Sequence, residues 1–232
     1  MSSGQGDLGG LPRGDAQSFF DAVAPHYDRV YAIDGAAHRA RMAALRDVLE
    51  GPTEVLVLGV GTGRELPTLL DAGFAPTGLD CSEEMLAICA RRARSGVLVR
   101  GDFWRSLPFP DGAFGAAVAL HGTLAHPPDR AALATFVSEV ARVLRPGGRL
   151  VLEVPTRAWF DRWSQVRDAA PGVLVVAGPS AAFVDRRSGA AIVGLIASPD
   201  EWRAALVDAF ACTIHLMSDD EVRIVAERKL LP

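Results

Sequence analysis

The sequence predicts an α/β protein built on a doubly wound, mostly parallel sheet, and three observations predict it. Residues 55–58 are a continuous apolar run, followed at once by Gly59, Gly61 and Gly63 and then by a segment able to form a helix. That order is strand, tight turn, helix, and an apolar strand without polar alternation suits a parallel sheet covered on both faces. Four further strand signals follow between residues 75 and 154, with helix and turn signals between them. Such alternation is the mark of βαβ units. Two acids, Asp80 and Asp102, stand just past two of these strands, where open α/β sheets bind their ligands.

Taken in order, residues 15–31 place Phe19, Phe20, Val23, Tyr27, Val30 and Tyr31 near helical spacing, with Pro25 expected to kink or split the helix. A second helix is expected over 36–49, stopped by Gly51 and Pro52. After the glycine turn, Thr62 and Glu65 have capping-box spacing for a helix ending near Gly73. Residues 75–79 form the second strand, and Ser82 is placed to cap the next helix. Strands are expected at 97–100 and 114–120, then a helix from near Asp129 to Leu144, closed by Pro146, Gly147 and Gly148. Residues 150–154 form the fifth strand. Beyond Pro155 the rhythm breaks: Trp159, Phe160, Trp163 and Val166 make an aromatic stripe, and 173–184 with 190–197 read as an antiparallel pair. A last helix runs to Phe210, and 212–217 with 222–227 form a closing hairpin. Residues 1–14 are Gly-rich and read as a loose tail, and 15–232 as a single domain.

Composition narrows the function. A net charge of −4 lacks the clustered positive face that a nucleic-acid or membrane-surface partner requires. Arg91, Arg92 and Arg94 do cluster, at the end of a predicted helix, where cations offset the dipole. Cys81, Cys89 and Cys212 have neither disulfide nor zinc spacing, so no metal is expected and a reducing, cytoplasmic setting fits. No apolar run is long enough to span a bilayer.

Two cofactor classes compete for the glycine turn. A dinucleotide loop wants a third glycine where this chain has Arg64. That speaks against a nicotinamide-dependent oxidoreductase. Asp80 follows the turn at the spacing of an acid that binds ribose hydroxyls, and Asp102 could take an adenine amino group, with Phe103 or Trp104 stacking on the ring.

With these residues in hand, the chain resembles the class I S-adenosylmethionine-dependent methyltransferases. The stretches that carry the likeness are 55–63 (Val-Leu-Val-Leu-Gly-Val-Gly-Thr-Gly), 78–86, 101–102, 107–114 and 139–150, and 20–28 resembles the lid helix of members acting on small molecules. The resemblance implies a Rossmann-like sheet of seven strands with an antiparallel final strand, N-terminal lid helices over 15–50, and a β-hairpin insertion or cap over 156–197. It places Gly59, Gly61 and Gly63 under the methionine part of S-adenosylmethionine, Asp80 on the ribose between Cys81 and Met85, and Asp102 and Phe103 on the adenine. Leu120 and His121 would face the sulfonium, with Tyr27 and Tyr31 closing over it. The chain departs from the family at Val57, where an acid is common, and at Gly115, where Asp is common.

Methyl transfer from a sulfonium needs alignment and exclusion of water, and needs a base only where the acceptor must lose a proton. His121 and Tyr27 are the catalytic candidates, with His126 an alternative base or a structural loop residue and His26 a plain surface residue. The stripe of Trp159, Phe160 and Trp163 suits either core packing or an acceptor pocket. The pair over 173–197 could cap the substrate or join a homodimer. The loop after the fourth strand lacks the Asn- or Asp-Pro-Pro-Tyr arrangement of enzymes that methylate bases or protein amides, so a small-molecule acceptor is expected. A non-catalytic protein that binds S-adenosylmethionine is the second reading.

Overall fold

The computed structural model describes residues 14–51, 53–93, 96–166 and 171–230. Expectations for residues 1–13, Pro52 and Arg94 lie outside them. Among the described residues the main sheet has seven strands, in the spatial order β3 (Val97–Arg100), β2 (Ala75–Asp80), β1 (Glu54–Leu58), β4 (Phe114–Ala119), β5 (Leu144–Pro155), β10 (Glu221–Arg228) and β9 (Phe210–Ser218). β1 to β5 are parallel, and β10 runs antiparallel to both β5 and β9. The strand order reverses between β1 and β4, so the loops after these two strands diverge and leave a crevice at their carboxyl ends.

The unbroken apolar run of β1 is explained by what covers it. Val55 and Val57 face one layer with Met42, Leu45 and Leu49 of α3 (Gly35–Leu49), Leu66 and Leu69 of α4 (Leu66–Asp71) and Cys89 of α5 (Glu83–Arg92). Leu56 and Leu58 face the opposite layer, with Leu133, Phe136 and Val140 of α6 (Arg130–Val143) and Trp202 and Leu206 of α8 (Pro199–Leu206). Successive strand residues thus bury into two different cores. Helix starts follow side-chain chemistry. Ser82 accepts from the Met85 N–H, Asp129 from that of Ala132, and Ser198 with Glu201 forms a reciprocal capping box.

Pro25 splits the first helix into α1 (Ala16–Val23), a 3₁₀ turn (Ala24–His26) and α2 (Tyr27–Val30). Between β5 and α8 lie α7 (Arg157–Gln165) and a separate antiparallel sheet of β6 (Gly172–Ala177), β7 (Ser180–Asp185) and β8 (Ala191–Leu195). The expected two-stranded pair is therefore three-stranded. Gly178, at φ +58°, and Pro179 turn the chain between Ala177 and Ser180, which pair across the ladder.

Three other local expectations are corrected. Thr62 and Glu65 form no capping box. α4 starts three residues later than that spacing requires, with Glu65 as N-cap and Pro67 in the first turn, and Thr62 Oγ1 donates instead to Asp28. His26 is no plain surface residue, because its Nε2 lies 3.2 Å from the buried Asp185 carboxylate. Arg92 does more than offset a dipole: it donates to the Thr62 carbonyl and to Asp28. Gly115 also gains an account. A Cβ there would collide with the Thr53 side chain, so the strand admits no larger residue without moving its neighbour.

Candidate functional site

The glycine turn leaves β1 with positive φ at Gly59, Gly61 and Gly63, angles that cost an L side chain about 1–2 kcal/mol. The three glycines serve different ends. A Cβ on Gly59 would meet Thr123, and one on Gly63 would meet Cys89 of α5, so these two allow close packing within the protein. A Cβ on Gly61 would meet nothing nearer than 4.0 Å. Gly61 is thus the position where bare backbone faces open space.

Asp80 ends β2 beside this turn. Its Oδ2 accepts from the Gly61 N–H at 2.8 Å and its Oδ1 from the Ser82 N–H at 2.9 Å. Burial pushes its carboxyl above the usual range, opposed by those N–H bonds. β3 pairs with β2 through Asp80 and Arg100, which puts Asp102 at the neighbouring strand tip. There Asp102 accepts from the Trp104 N–H at 2.9 Å. Gly59, Gly61, Asp80, Cys81, Met85, Asp102, Phe103 and Trp104 line one cleft, and Phe20, Tyr27, His121 and Thr123 also border it. Burial and the nearby carboxylates push the Cys81 thiol up to about 12, which makes it an inert wall.

A second cavity opens beside the first. Its walls include the aromatic Phe19, Tyr31, Trp159, Trp163 and Phe183 and the charged Asp34, Arg41, Arg64, Asp220 and Glu221. Phe20, Tyr27, His121, Gly122 and His126 line both spaces, so they mark where the contents of the two would meet. The aromatic stripe divides its work: Phe160 is buried in the core, whereas Trp159 and Trp163 face the cavity.

The structure brings together Tyr27, Gly59, Gly61, Asp80, Cys81, Met85, Asp102, Phe103 and His121 around the cleft. It places three other expected residues elsewhere. Gly63 packs on Cys89, Leu120 is in the core with Val57 and Val118, and Tyr31 lines the second cavity while donating to Asp185 at 3.0 Å. Burial raises Tyr27, which keeps its phenol protonated, and the Arg64 guanidinium sits 5.0 Å from its ring. His121 has φ +54°, a conformation rare for a side-chain-bearing residue, and its N–H donates to the Glu153 carboxylate at 3.1 Å. Burial lowers both His121 and His126 to about 4, so both rings are neutral near pH 7.

Sequence reasoning missed Thr123, Glu65 and Asp185. Thr123 carried no signal beyond its place in the loop after β4. Glu65 was taken for a helix cap and is buried beside His121. Asp185 is fully buried in the small sheet, where it accepts from Tyr31, from the Ser188 hydroxyl and from two backbone N–H groups.

Residues 55–148 match the family model described as "Methyltransferase domain". The chain is 34% identical over 146 residues to the demethylmenaquinone methyltransferase of Tropheryma whipplei (strain Twist), an alignment covering 60% of this chain and 58% of the relative. The chain thus spans less than two thirds of the length of that curated relative. In fold, the chain is similar to the PH0226 protein of Pyrococcus horikoshii OT3, with a TM-score of 0.70 at 19% identity, covering 88% of this chain and 99% of that one. It is also similar to a Burkholderia thailandensis 1,6-didemethyltoxoflavin-N1-methyltransferase solved with 1,6-didemethyltoxoflavin and S-adenosylhomocysteine. That likeness has a TM-score of 0.61 at 19% identity and covers 95% of this chain and 93% of the other. The expected sheet of seven strands with an antiparallel last strand is present among the described residues.

Open space at Gly61 gives a prediction. Gly61→Ala puts a methyl group into the cleft at positive φ, and S-adenosylmethionine affinity is expected to fall at least tenfold by isothermal titration calorimetry. Melting temperature should drop only by what ~1–2 kcal/mol of backbone strain explains. Unchanged affinity would show that Gly61 does not face the bound ligand.

Proposed function

We propose that this chain transfers a methyl group from S-adenosylmethionine to a small, flat, largely apolar acceptor. The observation that carries the reading is the pair of carboxylates, Asp80 and Asp102, at adjacent strand tips flanking a bend that is bare at Gly61. These residues fit the donor. Asp80 and Asp102 offer acceptor oxygens to ribose hydroxyls and an adenine amino group, Phe103 and Trp104 offer ring faces, and Gly61 leaves room for the methionine part. When bound, the donor supplies a methyl group on a positively charged sulfur.

The chain's own residues do the rest. Tyr27 and Phe20 border both spaces and present aromatic faces, which favour a cation and exclude water. Trp159, Trp163 and Phe183 orient a planar acceptor. His121, neutral and on the boundary, is the group placed to take the acceptor's proton. The aromatic second cavity supports a small-molecule acceptor, as do the demethylmenaquinone named for the curated relative and the 1,6-didemethyltoxoflavin held by the structural neighbour.

In this reading residues 15–50 are a lid. Asp28 links it to the glycine turn through Thr62, Arg64 and Arg92. Residues 156–197 are a cap over the acceptor, because Trp159, Leu174 and Phe183 line that cavity. The setting is the cytoplasm: three free cysteines suit a reducing compartment, and no helix among the described residues is long and apolar enough to cross a membrane.

The test is direct. The purified chain is incubated with S-adenosylmethionine and a panel of planar phenols, quinols and N-heterocycles, and S-adenosylhomocysteine is followed by mass spectrometry. Turnover with at least one member is expected. Trp159→Ala should raise that acceptor's KM by about 3- to 10-fold, the worth of one aromatic contact, and leave donor affinity unchanged. Donor binding without turnover on any member would favour a non-catalytic role.

A further inference from the structure

The buried Glu65 belongs to no part of the cleft lining, yet its Oε1 lies 3.3 Å from His121 Nε2. We propose that Glu65 is a positioning residue for His121: its carboxylate takes the Nε2 side of the imidazole and leaves Nδ1 as the atom that accepts the acceptor's proton. The proposal rests on the methyltransferase reading, and four observations carry it.

Glu65 is the N-cap of α4, but its side chain makes no capping bond, so it is free to turn inward. The side chain is 10% exposed, a setting in which a carboxylate requires a partner. Nε2 of His121 is itself buried and has no hydrogen-bond partner in this geometry, so the carboxylate 3.3 Å away is the group placed to take it. Lastly, the His121 ring is held in one orientation. The His121 backbone N–H is anchored on Glu153, the backbone is at φ +54°, and His38 of α3 stacks on the ring with centroids 5.4 Å apart and planes 29° apart. Backbone strain of this kind is maintained at sites that use it.

The step balances as follows. The acceptor's nucleophilic atom forms a bond to the methyl carbon while the carbon–sulfur bond breaks, its electron pair staying on sulfur to give a neutral thioether. The bond between that nucleophilic atom and hydrogen leaves its pair on the nucleophile, and the proton goes to Nδ1. The resulting imidazolium keeps its Nε2–H on the Glu65 carboxylate, which stabilises the cation.

Glu65 must be ionised to do this, and burial pushes its carboxyl up to about 7. Arg64 and Arg92 favour the charge, and Glu153 opposes it. His121 also faces Arg41 and His38 of α3 and Arg64 of the glycine turn, which disfavour the imidazolium, and Glu153, which favours it. Activity should therefore rise as pH passes upward through about 7 and Glu65 gains its charge.

The experiment is long-range ¹H–¹⁵N NMR of histidine side chains in the full-length, ¹⁵N-labelled chain without ligand, with His121 assigned through His121→Gln. In wild type the expected His121 tautomer is Nε2–H with a bare Nδ1, and its Nδ1 signal should shift with a midpoint near pH 7. Glu65→Gln should abolish that shift, and kcat on an accepted substrate should fall about 10²-fold with KM within threefold. An Nδ1–H tautomer in wild type, or the same titration in Glu65→Gln, would overturn the proposal. Where Glu65→Gln does not fold, the wild-type tautomer decides alone. Calorimetry with S-adenosylmethionine runs in parallel. Failure of wild type to bind it would remove the methyl-donor reading, and the spectrum would still judge the Glu65–His121 pair.

Discussion

Asp80→Ala lowers affinity for S-adenosylmethionine by about 1–3 kcal/mol, roughly 5- to 150-fold in Kd, when measured by isothermal titration calorimetry. The carboxylate has two tasks. Inward, it accepts from the Gly61 and Ser82 N–H groups and so fixes both the bare bend and the start of α5. Outward, it lines the cleft, where its remaining lone pairs are available to ribose hydroxyls. Asp80→Asn separates the tasks. An amide oxygen can still accept one of the backbone bonds, but the charge that strengthens a hydroxyl hydrogen bond is gone. Asn should therefore recover part of the lost stability and little of the lost affinity. Equal affinity in wild type and Asp80→Ala would remove Asp80 from the binding site.

Glu153→Ala is expected to cost about 3–5 kcal/mol of folding stability, the range for removing one partner of a buried ion cluster. Glu153 is fully buried in β5 and joins Arg41 of α3 to Arg223 of β10 while accepting the His121 N–H. Without it, two guanidinium groups lose their central partner, although Arg41 keeps Glu221. The loop after β4 loses its anchor as well. Chemical denaturation should show a lower midpoint with an unchanged slope. A loss below 1 kcal/mol would mean that the cluster contributes little.

Much of this was legible in the sequence because it is local. β1 and its glycines, the caps at Ser82 and Asp129, and the Pro25 break depend on residues near in sequence, and all are present. Asp80 and Asp102 were legible because each follows its strand and the two strands pair. What escaped depends on distant partners. Nothing beside Asp185 announces that Tyr31 and His26, more than 150 residues earlier, turn to it. Glu65 read as a cap because its spacing from Thr62 fits one, but Asp28 of α2 takes the Thr62 hydroxyl. The three-residue shift of α4 then leaves Glu65 to bury against His121. The turn at Gly178 and Pro179 was missed because the apolar run reads continuously across it.

The most direct measurement is a crystal structure of this chain grown with S-adenosylhomocysteine. The account predicts density for adenosine between the tips of β2 and β3, with its ribose on Asp80, its adenine near Asp102 and Phe103, and its amino-acid end over Gly61. An empty cleft at saturating ligand, or density only in the second cavity, would contradict it.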